Sequence, residues 1–369
     1  MNAFTVYPDE YHAQLNQKIA RLNDQLATLK QPTLPTIDVF ESPTTHYRMR
    51  AEFKAWHEGN TTYYAMSDKE TRQPVLLETF PVASLAINTL MPKLMAAINQ
   101  DDILRKKLFQ IEFINTLTND MLVTLIYHRP LSEDWITRAT ALQETLSISI
   151  IGRSRKQKVV LDKDYVTETL TVNAQTFTYR QNEGSFTQPN AVVCQKMLEW
   201  AVNNSEPKAD ELKRDLLELY CGNGNFTLPL SYNFRQVIAT EISKSSVNAA
   251  LENRQKNNID NVTVVRMSSE DFAEAMDKVR HFRRLKDIDL DSYDFSTVFV
   301  DPPRAGLDEH TIEVIRRFDQ IIYVSCNPKT LVNNLQSLCN THEISAIAAF
   351  DQFPYTDHLE AAVIIQRKQ

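Results

Sequence analysis

From Asp215 to Gln366 short apolar runs alternate with helical patterns, and this alternation constrains the fold more than any other feature of the chain. The strand candidates are Asp215–Tyr220, Gln236–Glu241, Val262–Met267, Ser296–Asp301, Gln320–Cys326, Ile344–Phe350 and Glu360–Gln366. Strands separated by helices imply a parallel, doubly wound sheet. The last two runs are joined by a loop only, which predicts an antiparallel hairpin at one edge. Ligands of such sheets bind beyond the carboxyl ends of the strands. The loops after each strand are therefore where chemistry is to be sought.

The first of these loops, Leu219-Tyr220-Cys221-Gly222-Asn223-Gly224-Asn225-Phe226, holds two of the six glycines in the chain. Glycine there permits positive φ and close approach of backbone to a ligand. A dinucleotide fingerprint needs a third glycine, and Thr227 stands in its place, so a nicotinamide cofactor is disfavoured. Glu241 ends the second strand, where it can accept hydrogen bonds from ribose hydroxyls. An acid-rich strand, a two-glycine turn and a ribose-binding acid suit S-adenosylmethionine, which carries no phosphate.

The fourth strand runs into Asp301-Pro302-Pro303-Arg304-Ala305-Gly306-Leu307-Asp308. Methyltransferases that act on amino groups of adenine stack the base on an aromatic residue after Asp/Asn-Pro-Pro. Arg304 occupies that position and argues for other chemistry. The fifth strand ends at Ser325-Cys326-Asn327-Pro328, where Asn327 reads as a helix N-cap and Pro328 as the first helical residue. A lone cysteine after an apolar strand is ordinarily an inert core residue. Here it is expected beside a helix N-terminus, which lowers a thiol pKa, and next to Asp301. A thiol beside a methyl donor suggests covalent catalysis. Carbon 5 of uracil is a poor nucleophile, but thiolate addition at carbon 6 makes it one. A base must then remove the carbon 5 proton so that the thiolate can leave. Glu360, at the head of the last apolar run, is one candidate; Asp357 and His358 are rivals.

The N-terminal part reads differently. Apolar residues at Tyr11, Leu15, Ile19, Leu22, Leu26 and Leu29 have helical spacing, and Gln31-Pro32-Thr33-Leu34-Pro35 breaks the pattern. From His46 to about Thr187 strands and helices mix: Tyr47–Trp56 alternates like a half-buried strand, Phe109–Leu117 and Met121–Tyr127 like paired strands, and Ala83–Ile98 and Asp134–Leu146 like helices. The polar stretch Val202-Asn203-Asn204-Ser205-Glu206-Pro207 reads as a linker. The expected division is therefore a helix and linker over 1–45, an α+β domain over 46–203 and a catalytic domain over 204–369. The formal charge is −7, from 40 basic and 47 acidic residues, and residues 1–180 hold 20 of each. A polyanionic partner is thus expected on the N-terminal half, through local patches. The start of the chain shows no leader pattern, no run spans a membrane, and four cysteines without paired metal spacing suit a reducing cytoplasm.

Together the loop at Tyr220–Phe226, the run Asp301–Asp308, Ser325-Cys326-Asn327-Pro328, Phe353-Pro354-Tyr355-Thr356, Ser185-Phe186-Thr187-Gln188-Pro189-Asn190 and His46-Tyr47-Arg48-Met49-Arg50-Ala51-Glu52-Phe53 resemble the RNA 5-methyluridine methyltransferase family. The resemblance covers almost the whole chain. It implies a Rossmann-like class I S-adenosylmethionine-dependent methyltransferase domain with an N-terminal α+β RNA-binding domain. It also implies Cys326 as nucleophile, Glu360 as base, and Gln188, Tyr220, Asn225, Glu241 and Asp301 as S-adenosylmethionine positions, with no metal. Ribosomal-RNA members usually carry an N-terminal iron–sulfur cysteine cluster, whereas this chain has no cysteine before Cys194. That favours the tRNA-acting branch, which methylates the T-loop uridine. The T-arm of tRNA, and other RNAs that mimic it, are the implied partners of a chain taken to be monomeric. One departure is Asp357, where relatives often carry His. Candidate RNA contacts are Arg48, Arg50, Phe53, Arg105-Lys106-Lys107, Arg153-Ser154-Arg155-Lys156 and Arg280, Phe282, Arg283 and Arg284.

Overall fold

A computed structural model describes residues 5–29, 31, 33–68, 71–207 and 211–368. The leader reading at residues 1–4 and Pro32 of the helix-breaking stretch lie outside them. The chain begins with helix α1 (Tyr11–Leu26) and strand β1 (Ile37–Phe40). A mixed region follows: β2 (Arg50–Glu58), β3 (Thr61–Ser67), β4 (Pro74–Leu77), α2 (Leu85–Gln100), α3 (Asp102–Arg105), β5 (Leu108–Asn115), β6 (Met121–Tyr127), α4 (Glu133–Leu146), β7 (Ser149–Ser154) and β8 (Gln157–Val160). A two-stranded ribbon, β9 (Tyr165–Val172) and β10 (Gln175–Asn182), leads to α5 (Ala191–Asn203). The alternating region then gives β11 (Asp215–Leu219), α6 (Thr227–Leu230), β12 (Val237–Glu241), α7 (Lys244–Lys256), β13 (Val262–Arg266), α8 (Ser269–Met276), β14 (Phe295–Val300), α9 (Glu309–Ile315), β15 (Gln320–Ser325), α10 (Pro328–Leu338), β16 (His342–Phe350) and β17 (Glu360–Arg367).

Two compact units result. One comprises 1–9, 43–169 and 181–191; the other comprises 10–42, 170–180 and 192–369. In the first, seven strands form one sheet in the order β4-β3-β2-β5-β6-β7-β8, antiparallel except for β6–β7. The alternation expected for Tyr47–Trp56 is present. Ala51 and Phe53 turn inward, and Glu52, Lys54 and Trp56 turn out.

The second unit carries an eight-stranded sheet in the order β1-β16-β17-β15-β14-β11-β12-β13. Strands β11 to β15 run parallel, as the alternation of strands and helices requires, and β17 is antiparallel to both β15 and β16. Two expectations are corrected. The β16–β17 hairpin is not at the edge, because β1 pairs parallel with β16 (Ile37↔Ile347 to Phe40↔Phe350) and lies outside it. Nor do residues 1–45 stand apart as helix and linker. Leu22, Leu26 and Leu29 join the apolar core beneath the sheet, and Trp200 Nε1 holds β1 through Asp38 at 3.2 Å. The apolar stripe of α1 needs a surface to cover, and the helix side of this sheet supplies it. Residues 192–203 likewise belong to this unit, so the division at 203–204 falls inside a continuous packing group.

Candidate active site

Strand register brings the candidate residues of the second unit to one edge. Leu219 pairs with both Thr240 and Val300, so Tyr220, Glu241 and Asp301 follow on neighbouring strands. Val300 pairs with Tyr323, and Ser325 pairs with Ala361. One step further along that antiparallel pair, Cys326 stands opposite Glu360. Residues directly opposed across antiparallel strands put their side chains on the same face, about 5 Å apart.

The glycine loop has the backbone its composition foretold. Tyr220, Gly222 and Gly224 have φ of 65°, 57° and 85°. Glu241 accepts from the backbone N–H of Gly222 (3.0 Å) and of Ser243 (2.7 Å), tying the second strand to the loop. The Tyr220 hydroxyl meets Ser269 Oγ at 2.9 Å. Asn225 accepts at its carbonyl from Tyr179 (3.0 Å), and its amide lies 3.4 Å from Cys194 Sγ. Gln188 falls in the other unit; its Oε1 is buried without a hydrogen-bond partner among the described residues.

Glu218 was not among the expected site residues. It sits in the fully buried strand β11, and its Oε2 has no partner among the described residues. Its signal was an acid inside an apolar strand, immediately before the glycine loop. Burial, with Asp301 adding to it, pushes its carboxyl up to about 8. Burial also raises Asp301 to about 7, and burial followed by Asp301 raises Glu360 to about 8. Glu218, Glu241 and Asp301 offer acceptor oxygens and no cation to bind a phosphate. They suit a nucleoside ligand with cationic groups, so the donor set fits S-adenosylmethionine.

Cys326 departs from expectation. Burial, then the carboxyls of Glu360 and Asp301, raise its thiol to about 11; nearby Arg304 opposes them but does not prevail. Pro328 does open α10, but Asn327 does not cap it with its side chain and instead donates to the Arg304 carbonyl at 3.2 Å. The thiol is thus held protonated in the ligand-free protein, against the depressed pKa that a helix N-terminus alone would imply.

The rival bases are occupied elsewhere. Asp357 is exposed and paired with Arg21 at 2.9 Å, which lowers its pKa and its basicity. His358 Nδ1 accepts from Arg304 at 3.1 Å.

These raised carboxyls have a thermodynamic consequence. Glu218, Asp301 and Glu360 hold protons in the folded chain that the unfolded chain releases in the ordinary carboxylate range. Their stabilising contribution is complete below that range and is lost as pH rises through about 7 and 8. The Tm of the ligand-free protein is expected to fall across that window, with a shallower slope in Glu218→Gln. A Tm that is flat or rises there would contradict the burial of these groups.

Among the RNA candidates, Phe53 is withdrawn: it is 1% exposed, packed against Tyr64, Phe80 and Phe113. Arg50 donates to the Ser185 carbonyl, Arg153 grips Glu183 through two 2.5 Å bonds, and Arg280 pairs with Asp271 and Glu274. Lys106, Lys107, Arg155, Lys156, Arg283 and Arg284 remain exposed. The sequence reading missed Phe109, a partly exposed ring stacked on His128 with centroids 4.0 Å apart.

None of the described helices is long and apolar enough to cross a membrane. Residues 10–368 match the family model described as tRNA (Uracil-5-)-methyltransferase. The chain is 56% identical to a tRNA/tmRNA (uracil-C(5))-methyltransferase of Saccharophagus degradans, over 98% of each chain. It is 54% identical to a protein of the same name from Cellvibrio japonicus, over 97% of this chain and 96% of that one. Among solved structures, the Pyrococcus abyssi tRNA (uracil-54, C5)-methyltransferase in complex with S-adenosyl-L-homocysteine aligns with a TM-score of 0.72 at 20% identity. That alignment covers 96% of this chain and 83% of that one, a likeness of fold.

Proposed function

Because the chain belongs to the tRNA (uracil-5-)-methyltransferase family, we propose that it methylates carbon 5 of the T-loop uridine of tRNA through a covalent Cys326 intermediate. The catalytic unit is a Rossmann-like class I methyltransferase domain, and the methyl donor is S-adenosylmethionine. The observation that carries the mechanism is the β15–β17 register, which sets Cys326 opposite Glu360 with Asp301 on the next strand.

Cys326 adds to carbon 6 of the flipped-out uracil, with Arg304 the nearby cation that favours loss of the thiol proton. When bound, S-adenosylmethionine supplies the methyl group and a positive sulfonium, which offsets the carboxylates that hold the thiol protonated. Within the catalytic unit, Tyr220, Asn225, Glu241 and Asp301 are the residues we assign to hold it. Glu360 then takes the carbon 5 proton. The C–H electron pair becomes the C5–C6 double bond, and the carbon–sulfur bond breaks to return the thiolate. A carboxyl near 8 is a strong enough base for this step, and burial favours its neutral product.

Extracting the uridine from its stack costs a few kcal/mol, which aromatic stacking and phosphate contacts must offset. The exposed Phe109–His128 stack, with Lys106 and Lys107 in the adjacent chain, supports RNA contact at that end of β5. The relatives' names include tmRNA, which supports extending the substrate class to RNAs with a T-arm-like fold.

The test is to mix the protein with S-adenosylmethionine and a T-arm RNA carrying 5-fluorouridine at the target position, followed by denaturing electrophoresis. Fluorine cannot leave as a proton, so a denaturant-stable protein–RNA adduct is expected to accumulate. No adduct, with RNA binding intact, would refute the covalent mechanism on this substrate.

A further inference from the structure

The nine-residue connection 351–359 between β16 and β17 ends directly on Glu360, and Phe350 pairs with Glu360 at its base. The connection contains no helix or strand, and Tyr355 within it has a φ of 61°. A non-glycine residue in that region is strained and persists only where its surroundings hold it.

The backbone of Asp351 is tied to Phe40, and His358 meets Arg304, but one face of α1 makes a continuous set of contacts along the connection. Gln14, Lys18 and Arg21 follow one another at helical spacing and all reach the connection. Gln14 Oε1 accepts from the Tyr355 N–H at 2.7 Å, and its Nε2 donates to the Thr356 carbonyl at 3.3 Å. Lys18 Nζ donates to Asp351 Oδ1 at 2.7 Å and to the Phe353 carbonyl at 2.9 Å. Arg21 pairs with Asp357. The Lys18–Asp351 pair is buried, with side chains 1% and 0% exposed. A buried ion pair is weak evidence of net stabilisation, because an apolar pair of similar volume serves as well. What the pair adds is direction: an ammonium at a defined point grips a carboxylate and a carbonyl at the start of the connection.

We propose that α1 is a splint for the catalytic base, with Lys18 the positioning residue that fixes 351–359 and hence the Glu360 carboxylate over carbon 5 of the covalently held uracil. The proposal rests on the Cys326–Glu360 mechanism above. Its consequence is confined to one step. Addition of Cys326 and methyl transfer do not use Glu360, whereas proton removal and release of the thiolate do. Loosening the splint slows elimination and leaves the methylated RNA attached to Cys326.

The experiment is single turnover of the full chain with methyl-labelled S-adenosylmethionine and an ordinary uridine T-arm RNA. Label is followed in denaturant-stable protein–RNA adduct and in free RNA. In Lys18→Met, label is expected to enter adduct at close to the wild-type rate and to leave it ~10–100-fold more slowly, with the KM for RNA unchanged. Gln14→Ala, which leaves the buried pair intact, should show a smaller delay of the same kind. The double variant Lys18→Met/Asp351→Leu removes the charge left unpaired and should regain Tm without regaining fast release. Wild-type release in Gln14→Ala and the double variant, or equal loss of adduct formation and release in Lys18→Met, would overturn the proposal. Wild-type protein run with 5-fluorouridine RNA separates the two failures. Without a Cys326 adduct there, the covalent reading itself falls and takes this one with it.

Discussion

Cys326→Ala is expected to lower methyl transfer to tRNA by at least ~10⁴-fold while leaving S-adenosylmethionine affinity within about twofold. The loss is large because carbon 5 of uracil has no alternative activation in this site. Arg304 is the cation beside the thiol, and Asp301 and Glu360 are acids held near neutral pH by burial. None of them can place electron density on carbon 5. Cofactor affinity is spared because the groups assigned to it lie outside β15, at the end of β12 and in the loops after β11 and β14. Turnover checked with labelled methyl donor, alongside calorimetric titration of the donor, tests both halves. A fully active alanine variant would end the covalent mechanism. Loss of donor binding would mean that Cys326 belongs to the cofactor site.

Glu360→Gln is expected to reduce turnover by ~10²–10⁴-fold and to trap the enzyme on ordinary uridine substrate. Glutamine preserves shape in a position that is 3% exposed but cannot accept the carbon 5 proton. Methyl transfer should still occur once per enzyme, so one equivalent of label should appear in a denaturant-stable adduct. In wild-type protein the same step should accelerate as pH rises to about 8, where the Glu360 carboxyl ionises. If the glutamine variant released methylated RNA at the wild-type rate, the base would have to be sought elsewhere. Asp357 and His358 are then poor substitutes, being turned to Arg21 and Arg304.

Much of this site was legible in the order of residues. Strand-end positions such as Glu241, Asp301 and Cys326 follow from local apolar runs, and strands alternating with helices force those ends to one edge. Positive φ at Gly222 and Gly224 follows from glycine placement alone. Other features depend on contacts that no local pattern encodes. β1 is four residues long, and its partner β16 lies some three hundred residues along the chain, so only pairing reveals it. Lys18 has the composition of a solvated helix face and is 2% exposed, because the 351–359 connection covers it. Phe53 has the look of a stacking ring and is core, because the turn of its strand faces it inward.

The thiol of Cys326 marks the boundary most clearly. Its position at a strand end before a helix N-terminus is written in Ser325-Cys326-Asn327-Pro328, and position alone argues for a lowered pKa. Burial and two carboxyls from elsewhere on the sheet instead push the thiol up, outweighing one helix end and one arginine. Local sequence determined which groups stand at the edge of the sheet. Tertiary structure decided which faced each other and how much water they kept, because burial and Coulomb energies depend on distances in space and not along the chain.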